Sequence, residues 1–205
     1  MSEQYFTHKP SSEERYREFT VDVAGFPLRF VTSEGVFSKN RMDYGSKFLV
    51  ETFIEKNIIK EDKKILELGA GYGPVAITLA KAYPNCSVMG IEVNERAFEL
   101  SKKNATLNQV EVNFEVGDAT TYAVAGLDVD VVLTNPPIRA GKAVIQAFVN
   151  QAYKALVLEG ELWVVVQKKQ GAPSMQSHMQ AIFGNVEKLK QDKGYWILKS
   201  QKTSD

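Results

Sequence analysis

From about Ile65 onward, short apolar runs alternate with longer stretches in which apolar residues recur at helical spacing. Such alternation is typical of a parallel sheet whose strands are joined by crossover helices. The apolar runs predict strands at residues 64–68, 87–92, 112–116, 129–134 and 161–166. The amphipathic stretches predict helices at residues 74–82, 95–108, 142–158 and 174–183. The pattern therefore indicates an α/β fold.

The C-terminal end of the chain breaks this alternation. Residues 186–189 and 195–198 are strand-like and flank Gln191-Asp192-Lys193-Gly194, which predicts an antiparallel hairpin joined by a turn. A sheet that ends in such a hairpin differs from a dinucleotide-binding fold.

The N-terminal end carries a pattern of its own. Residues 19–23 and 28–31 surround a Gly-Phe-Pro turn and predict another hairpin, which a helix at 44–56 follows. We expect residues 1–60 to form a cap on an α/β core made by residues 61–205. A length of 205 residues with 44% hydrophobic content fits one domain, so no second catalytic domain is expected.

Charge is balanced over the whole chain but not along it. The 25 basic residues equal the 25 acidic ones, so any contact with a polyanion must be local. Residues 61–138 carry 6 basic and 11 acidic side chains, whereas residues 139–205 carry 10 basic and 5 acidic ones. An acidic middle suits a cationic cofactor, and a basic final third suits phosphates. Ordinary solvated surfaces explain either block equally well.

Targeting and metal-binding signals are weak in this sequence. The first five residues lack the charged start and apolar stretch of a signal peptide, and no apolar run reaches membrane-spanning length. We therefore expect a cytoplasmic protein with no membrane association. Cys86 is the only cysteine, and His8 and His178 lie far apart, so no metal site is expected.

A glycine-rich segment follows the first predicted strand of the core. Glu67 and Leu68 lead into Gly69-Ala70-Gly71-Tyr72-Gly73. Glycines at the carboxyl end of a strand let the backbone approach a ligand closely, at the edge where open α/β sheets bind cofactors. The spacing is not the dinucleotide fingerprint, because Pro74 stands where that fingerprint needs a small residue. A tight turn between strand and helix would also explain these glycines.

Carboxylates follow the next two strands. Glu92 ends the second strand about 20 residues after the glycine loop, where a carboxylate can accept hydrogen bonds from two ribose hydroxyls. It could instead cap the helix that begins near Glu95. Gly117-Asp118-Ala119 follows the third strand; Asp118 can accept from the amino group of adenine, and Ala119 leaves room for the ring. In isolation this segment is a plain turn.

The fourth strand ends in Asn135-Pro136-Pro137, a segment suited to activating an amino nitrogen for attack. The lone pair of an aryl amine is delocalised into its ring, so the nitrogen attacks poorly until acceptors hold its two hydrogens. Asn135 offers a side-chain carbonyl, and Pro136 offers a backbone carbonyl whose direction the two prolines stiffen. A strand terminated by prolines is the structural alternative.

Taken together, the motifs at residues 67–74, Glu92, Asp118 and 135–137 resemble those of class I S-adenosylmethionine-dependent methyltransferases, in the branch that methylates amino groups. Four further segments narrow this resemblance to one group of methyltransferases; they are residues 35–38, 43–46, 138–142 and 167–172. They are similar to the small single-domain relatives of the 16S ribosomal RNA guanine-N2 methyltransferase C family. The resemblance covers almost the whole chain.

The resemblance implies a seven-stranded Rossmann-like methyltransferase sheet, S-adenosylmethionine as cofactor, and guanine N2 of ribosomal RNA as acceptor. The implied cofactor-binding residues are Glu67, Gly69, Ala70, Gly71, Tyr72, Gly73, Glu92, Val93, Asp118, Ala119, Asn135, Phe37 and Ser38. The implied catalytic residues are Asn135, Pro136 and Pro137. The segment from Asp43 to Ser46, with Phe37 and Ser38, would close over the cofactor.

The sequence departs from the family pattern after the two prolines. Many members of the amino-methylating group have an aromatic residue there to stack on the target base, and this chain has Ile138. Stacking would then be weaker, or it would come from another residue, such as Phe37 or Tyr72. Pyrimidine carbon-5 methylation needs a cysteine nucleophile just after such prolines, and Cys86 belongs to a different strand, which excludes that chemistry.

Substrate contacts and acceptor stay open at this point. Ile138, Arg139, Lys142, Lys168 and Lys169 are predicted to contact substrate, the basic ones through phosphates, although a solvated rim explains them equally well. The cap residues Lys39, Arg41 and Lys47 have the same status. The acceptor guanine should be unpaired or flipped out. A protein glutamine amide is an alternative acceptor. An alternative function without catalysis is a cofactor-bound, RNA-binding module.

Overall fold

The computed structural model describes residues 16–36, 41–59 and 62–204, and within these ranges it forms nine β-strands and five α-helices. The strands are β1 (Tyr16–Val23), β2 (Phe26–Ser33), β3 (Lys64–Leu68), β4 (Ser87–Glu92), β5 (Asn113–Val116), β6 (Val129–Thr134), β7 (Leu156–Gln167), β8 (Glu187–Asp192) and β9 (Tyr195–Gln201). The helices are α1 (Tyr44–Lys56), α2 (Pro74–Ala82), α3 (Glu95–Leu107), α4 (Lys142–Ala155) and α5 (Ala172–Phe183).

Seven strands form one sheet in the order β5-β4-β3-β6-β7-β9-β8. The strands from β5 to β7 are parallel, whereas β9 runs antiparallel to β7 and β8 antiparallel to β9. This arrangement confirms the predicted α/β fold with its seven-stranded sheet and C-terminal hairpin. After β5 the chain returns to place β6 on the other side of β3. The carboxyl ends of β3 and β6 therefore flank a topological switch point, where open sheets form their ligand crevice.

Helices cover both faces of the sheet, which is why the parallel strands are apolar on both sides. On β3, Ile65 belongs to the core shared with α1, α2, α3 and the β1–β2 hairpin, whereas Leu66 belongs to the core beneath α4 and α5. Glu67 shares the face of Ile65, because side chains alternate along a strand. A carboxylate is thereby buried between the sheet and α2.

Asn104 of α3 and Asn108, the C-cap of this helix, attach the N-terminal hairpin to the core. The Asn104 amide accepts from the Val31 N–H at 2.7 Å and donates to the Val31 carbonyl, and Asn108 bonds the Arg29 backbone in the same way. These side chains lie four residues apart on one buried face of the helix and replace a missing neighbouring strand for β2. The predicted cap hairpin thus packs on α3.

The boundary between α4 and β7 differs from the prediction of a helix through residue 158. The helix ends at Ala155, and Leu156 already pairs with Val129 of β6. Leucine and valine at 156–158 fit either element, so the apolar pattern could not locate the change. Gly160 contributes, because a Cβ there would lie 3.1 Å from the Asp130 carbonyl, so the strands approach closely.

Candidate active site

A cavity of about 530 Å³ opens at the switch point, above the carboxyl ends of β3, β4 and β6. Loops after these strands, the loop after β5, the start of α1 and the start of β9 form its wall. The sequence-predicted site residues in this wall are Glu67, Gly69, Ala70, Gly71, Tyr72, Glu92, Val93, Asp118, Ala119, Asn135, Pro136, Pro137, Ile138 and Arg139.

Some predicted site residues lie elsewhere. Gly73 is buried behind the wall with φ +92°, where a Cβ would meet Ile77 at 2.9 Å, so this glycine serves the turn into α2. Lys142, Lys168 and Lys169 are exposed outside the cavity wall, and their predicted phosphate contacts stay predictions. Phe37 and Ser38, with Lys39, lie outside the described residues.

The glycine loop is locked against β4. The N–H groups of Gly69 and Ala70 both donate to the Ile91 carbonyl, at 2.9 and 3.0 Å. Gly69 and Gly71 have φ values of +78° and +57°, in the left-handed region that favours glycine. The loop can therefore turn sharply at the cavity floor without a side chain at either position.

Glu92 is buried, and backbone donors fix its carboxylate. One oxygen accepts from the Gly71 N–H at 2.7 Å, and the other accepts from the Asn94 N–H at 2.8 Å. Burial raises the pKa of Glu92. The N-cap of α3 is Asn94, whose side chain accepts from Ala97, so the alternative of Glu92 as the helix cap is wrong. A carboxylate has about four acceptor sites, so capacity for ribose hydroxyls remains.

Glu67 is a second buried carboxylate in the cavity wall. Its Oε2 accepts from the Ala76 N–H at 2.9 Å, in the first turn of α2, where the helix dipole favours negative charge. Burial, and then the nearby charge of Glu92, raise the pKa of Glu67 well above its usual range. Two buried carboxylates at one cavity make a site that favours a cationic ligand.

Asp118 and Ala119 lie where β5 ends. Asp118 is exposed, and its Oδ1 accepts from the N–H and the hydroxyl of Thr120 at 2.8 and 2.7 Å. The segment thus forms a turn, as the alternative interpretation of Gly117-Asp118 predicted, and it also lines the cavity. Ala119 is buried, and with Val93 it forms a small apolar part of the wall.

Asn135 is held by two residues at the start of α1. Its Nδ2 donates to Asp43 Oδ2 and to Ser46 Oγ, at 3.0 Å each. Asp43 Oδ2 also accepts from the Ser46 N–H at 3.0 Å and so caps α1. The segment from 43 to 46 thus touches the predicted catalytic asparagine directly. The sequence resemblance placed this segment over the cofactor, and its contact with Asn135 is seen only in the structure.

The tip of β6 is tied to the glycine loop. The Thr134 hydroxyl donates to the Leu68 carbonyl at 2.8 Å, which aligns the ends of β6 and β3. Beyond Asn135 the chain makes a 3-10 turn from Ile138 to Ala140, closed by the Ala140 N–H on the Pro137 carbonyl. Ile138 is half-buried and Arg139 is exposed, both along the cavity wall.

Tyr195, and not Tyr72, is placed where an aromatic ring could stack on a bound base. The Tyr72 ring packs edge-on against Phe19 and Phe30 and is 1% exposed, so it cannot stack on a base. Tyr195 is half-buried in the cavity wall, 5.4 Å from the Tyr44 ring. Sequence reasoning missed Tyr195, because only the pairing of β9 with β7 brings the C-terminal hairpin to this edge.

The described residues place neither the cysteine nor a metal-binding cluster at this cavity. Cys86 precedes β4, at the opposite end of the sheet, and burial raises the pKa of its thiol. Among the described residues, histidine, cysteine and carboxylate side chains nowhere form a group of three that could hold a metal. The described helices are all too short or too polar to cross a bilayer.

Comparison with known proteins agrees with this geometry. The family model "Methyltransferase small domain" matches residues 27–199. A Bacillus subtilis relative, "Uncharacterized protein YbxB", is 38% identical over 98% of this chain and 100% of its own length. The "Ribosomal RNA small subunit methyltransferase C" of Hahella chejuensis is 31% identical over 69% of this chain and 41% of its own length.

A solved structure gives a match over nearly the whole chain. The Thermus thermophilus 16S rRNA N2 G1207 methyltransferase, in complex with AdoMet and guanosine, superposes with a TM-score of 0.80 at 27% identity. The match covers 94% of this chain and 52% of that one, so this chain spans about half the length of the methyltransferase relatives named here. Fold, cavity and relatives agree: the chain belongs to the methyltransferase small domain family, whose methyl donor is S-adenosylmethionine.

Proposed function

We propose that this protein transfers a methyl group to an exocyclic amino nitrogen, and that the acceptor is guanine N2 of ribosomal RNA. One observation carries the proposal. The carbonyl-bearing segment from Asn135 to Pro137 shares a single cavity with the glycine loop and the two buried carboxylates, Glu67 and Glu92. Acceptor-binding and donor-binding groups are therefore close enough to serve one transfer.

The cavity suits S-adenosylmethionine, which supplies an electrophilic methyl group on a positively charged sulfur. Glu92, anchored by backbone donors, would accept from the ribose hydroxyls. Asp118 and Ala119 would contact the adenine. Glu67 and the glycine loop would line the methionine side, where carboxylate charge favours the positively charged donor.

The chemical step needs mainly position. The acceptor nitrogen must be aligned with the methyl group, and its lone pair must be withdrawn from conjugation with the ring. The Asn135 side-chain carbonyl and the Pro136 backbone carbonyl accept the two amine hydrogens. The same two oxygens stabilise the positive charge that develops on the nitrogen during transfer. No covalent enzyme intermediate is required.

Several features favour a base in RNA as acceptor. The relative bound to guanosine and the ribosomal RNA methyltransferase support it by similarity. Tyr195 gives the cavity an aromatic ring that can stack on a base, in place of the residue missing at Ile138. Arg139 extends a basic side chain from the cavity wall toward solvent, which suits a phosphate. A glutamine amide needs the same two carbonyls and is the competing outcome of the test.

The first prediction concerns Asn135→Ala. We expect at least a hundredfold fall in the single-turnover rate of methyl transfer to unmodified ribosomal RNA, with cofactor affinity within threefold, because the carbonyl acts on the acceptor in the transition state. Radiolabel transfer and calorimetry measure the two quantities. A control, Asn113→Ala at the far end of β5, should retain the native rate. A near-native rate in Asn135→Ala contradicts the mechanism.

The acceptor is identified by mass mapping of methylated nucleosides in cells with and without the protein. Loss of N2-methylguanosine at one position of ribosomal RNA supports the proposal. Unchanged RNA together with loss of a methylated glutamine would assign the protein-amide activity instead.

A further inference from the structure

We infer that Asp43 and Ser46 are positioning residues for the Asn135 carboxamide. Of the two orientations that exchange its oxygen and nitrogen, they hold the one that directs the carbonyl oxygen to the acceptor amine. The inference deepens the proposed function and rests on it for the identity of the acceptor. It assigns a task to the first turn of α1, which precedes the predicted catalytic core in the chain.

The donor and acceptor inventory decides the orientation of the amide. An ionised carboxylate only accepts hydrogen bonds, so the group of Asn135 that faces Asp43 Oδ2 at 3.0 Å must be the NH₂. The second Nδ2 hydrogen is directed to Ser46 Oγ, also at 3.0 Å. Both hydrogens of the amide are thereby used by α1. The carbonyl oxygen is the part of the amide left to interact with another ligand.

The wrong flip would oppose catalysis. The oxygen and nitrogen of a carboxamide have nearly the same size, so packing alone separates the two orientations poorly. With the amide reversed, Asn135 would point N–H groups at the N–H groups of the acceptor amine. A donor facing a donor leaves both without a hydrogen bond and weakens the lone-pair activation. An anionic partner on one side of Asn135 prevents this.

The space around this contact is filled. A Cβ added to Gly45 would lie 3.0 Å from Asp43 Oδ2, 3.1 Å from Tyr195 Cε1 and 3.4 Å from Asn135 Nδ2. The carboxylate, the amide and the aromatic ring therefore converge on one point above the glycine. Asp43 is also tied down by the N–H of Ser46, so its carboxylate cannot turn away without uncapping α1.

Asp43→Ser separates the two roles of Asp43. Serine is a good helix N-cap, so α1 should still begin correctly, but its shorter side chain cannot also reach Asn135. We expect the single-turnover rate to fall at least tenfold, with cofactor affinity and melting temperature close to native. Asp22→Ser is the matched control and should retain the rate, because Asp22 likewise accepts from the N–H three residues later but lies at the turn of the N-terminal hairpin, outside the cavity wall. A rate within twofold of native in folded Asp43→Ser overturns the inference.

An exchange of the two side chains gives a readout that a structural role would not produce. Asn135→Asp alone places two carboxylates together and should lose most activity. In the double variant Asp43→Asn/Asn135→Asp, the new amide can donate to the new carboxylate, whose other oxygen accepts from the substrate amine. We expect at least a tenfold recovery over Asn135→Asp. A double variant no faster than Asn135→Asp contradicts the positioning role.

The positioning itself is measured without any RNA. In protein isotopically labelled at its asparagines, the NMR resonances of the Asn135 side-chain amide are assigned as those that disappear in Asn135→Ser. We expect slow hydrogen exchange in the native protein and exchange at least tenfold faster in Asp43→Ser/Ser46→Ala. Equal exchange overturns the inference even if methylation is observed. Slow exchange in a native protein that methylates no RNA would fault the proposed acceptor instead.

Discussion

At the residue scale, burial of the Glu67 and Glu92 carboxylates opposes folding, at two positions proposed to contact the cofactor. Burial of an ionised carboxylate is unfavourable unless hydrogen bonds or charges compensate it, and burial raises both pKa values. The N–H of Ala76 compensates Glu67 only in part. Both carboxylates were predicted from the sequence as cofactor residues, but their burial was not, since it depends on α2 and the loop closing over β3.

Glu67→Gln should make the cofactor-free protein more stable above about pH 5. The folded state binds the Glu67 proton more tightly than the unfolded chain does, so native stability falls, relative to the variant, as pH rises from the ordinary pKa of 4.5 to the raised folded value. The difference should grow by at most about 1.4 kcal/mol per pH unit. Urea unfolding curves recorded at intervals between pH 4 and pH 8 measure this difference in the free energy of unfolding.

The glutamine carbonyl can still accept from Ala76, so no new unsatisfied donor complicates this comparison. Parallel stability curves for the two proteins would show that Glu67 is ionised at little cost. Affinity for S-adenosylmethionine should fall in the same variant, because the negative charge is lost.

Glu92→Ala should weaken binding of S-adenosylmethionine at least tenfold. Two charge-assisted hydrogen bonds to ribose, of about 1.5–3 kcal/mol each, would be lost. Calorimetry on a variant shown to be folded by circular dichroism gives the affinity. Glu115→Gln on the neighbouring β5, outside the cavity wall, is the control and should bind normally. Native affinity in Glu92→Ala would remove the ribose assignment.

At the scale of elements, the sequence predicted what depends on local pattern and missed what depends on contacts between distant elements. The strands of the parallel sheet were predicted because apolar runs and turn residues mark them. The position of the cap was not predicted, because it depends on hydrogen bonds that Asn104 of α3 and the C-cap Asn108 make with the edge of β2. Tyr195 enters the site only through the register of β9 on β7.

Gly45→Ala tests how closely α1 must approach the site. Alanine is the better helix former by up to about 1 kcal/mol, which offsets the cost of moving the neighbouring side chains, so folding stability should stay near native. Its methyl group would press on Asp43, Tyr195 and Asn135 at 3.0–3.4 Å and displace the amide. We expect a tenfold or greater loss of single-turnover rate. Lys56→Ala, exposed at the far end of α1, should have the native rate.

At the scale of the whole molecule, the proposed binding of RNA to this neutral protein requires a local basic surface. We define the rim as Arg139, Lys142, Lys168 and Lys169, which are all exposed and follow the carboxyl ends of β6 and β7. The Lys168 N–H donates to the Gly194 carbonyl at 2.7 Å, so the turn that bears Lys168 and Lys169 is held beside the C-terminal hairpin. The proposed RNA contact therefore has a rigid base next to Tyr195.

The salt dependence of RNA binding tests this rim. Each phosphate contact to a single strand should contribute a slope of about 0.7 in log affinity against log salt, so four contacts give about 2.8. Replacing Lys168 and Lys169 together by alanine should lower the slope by about 1.4 without changing which nucleotide is methylated, because phosphates position and bases specify. Lys102→Ala/Lys103→Ala, at two exposed positions of α3 outside the cavity wall, should leave the slope unchanged. Equal slopes for the native protein and the rim variant would move the RNA contact to the cap, with Arg41 and Lys47 as the next residues to replace.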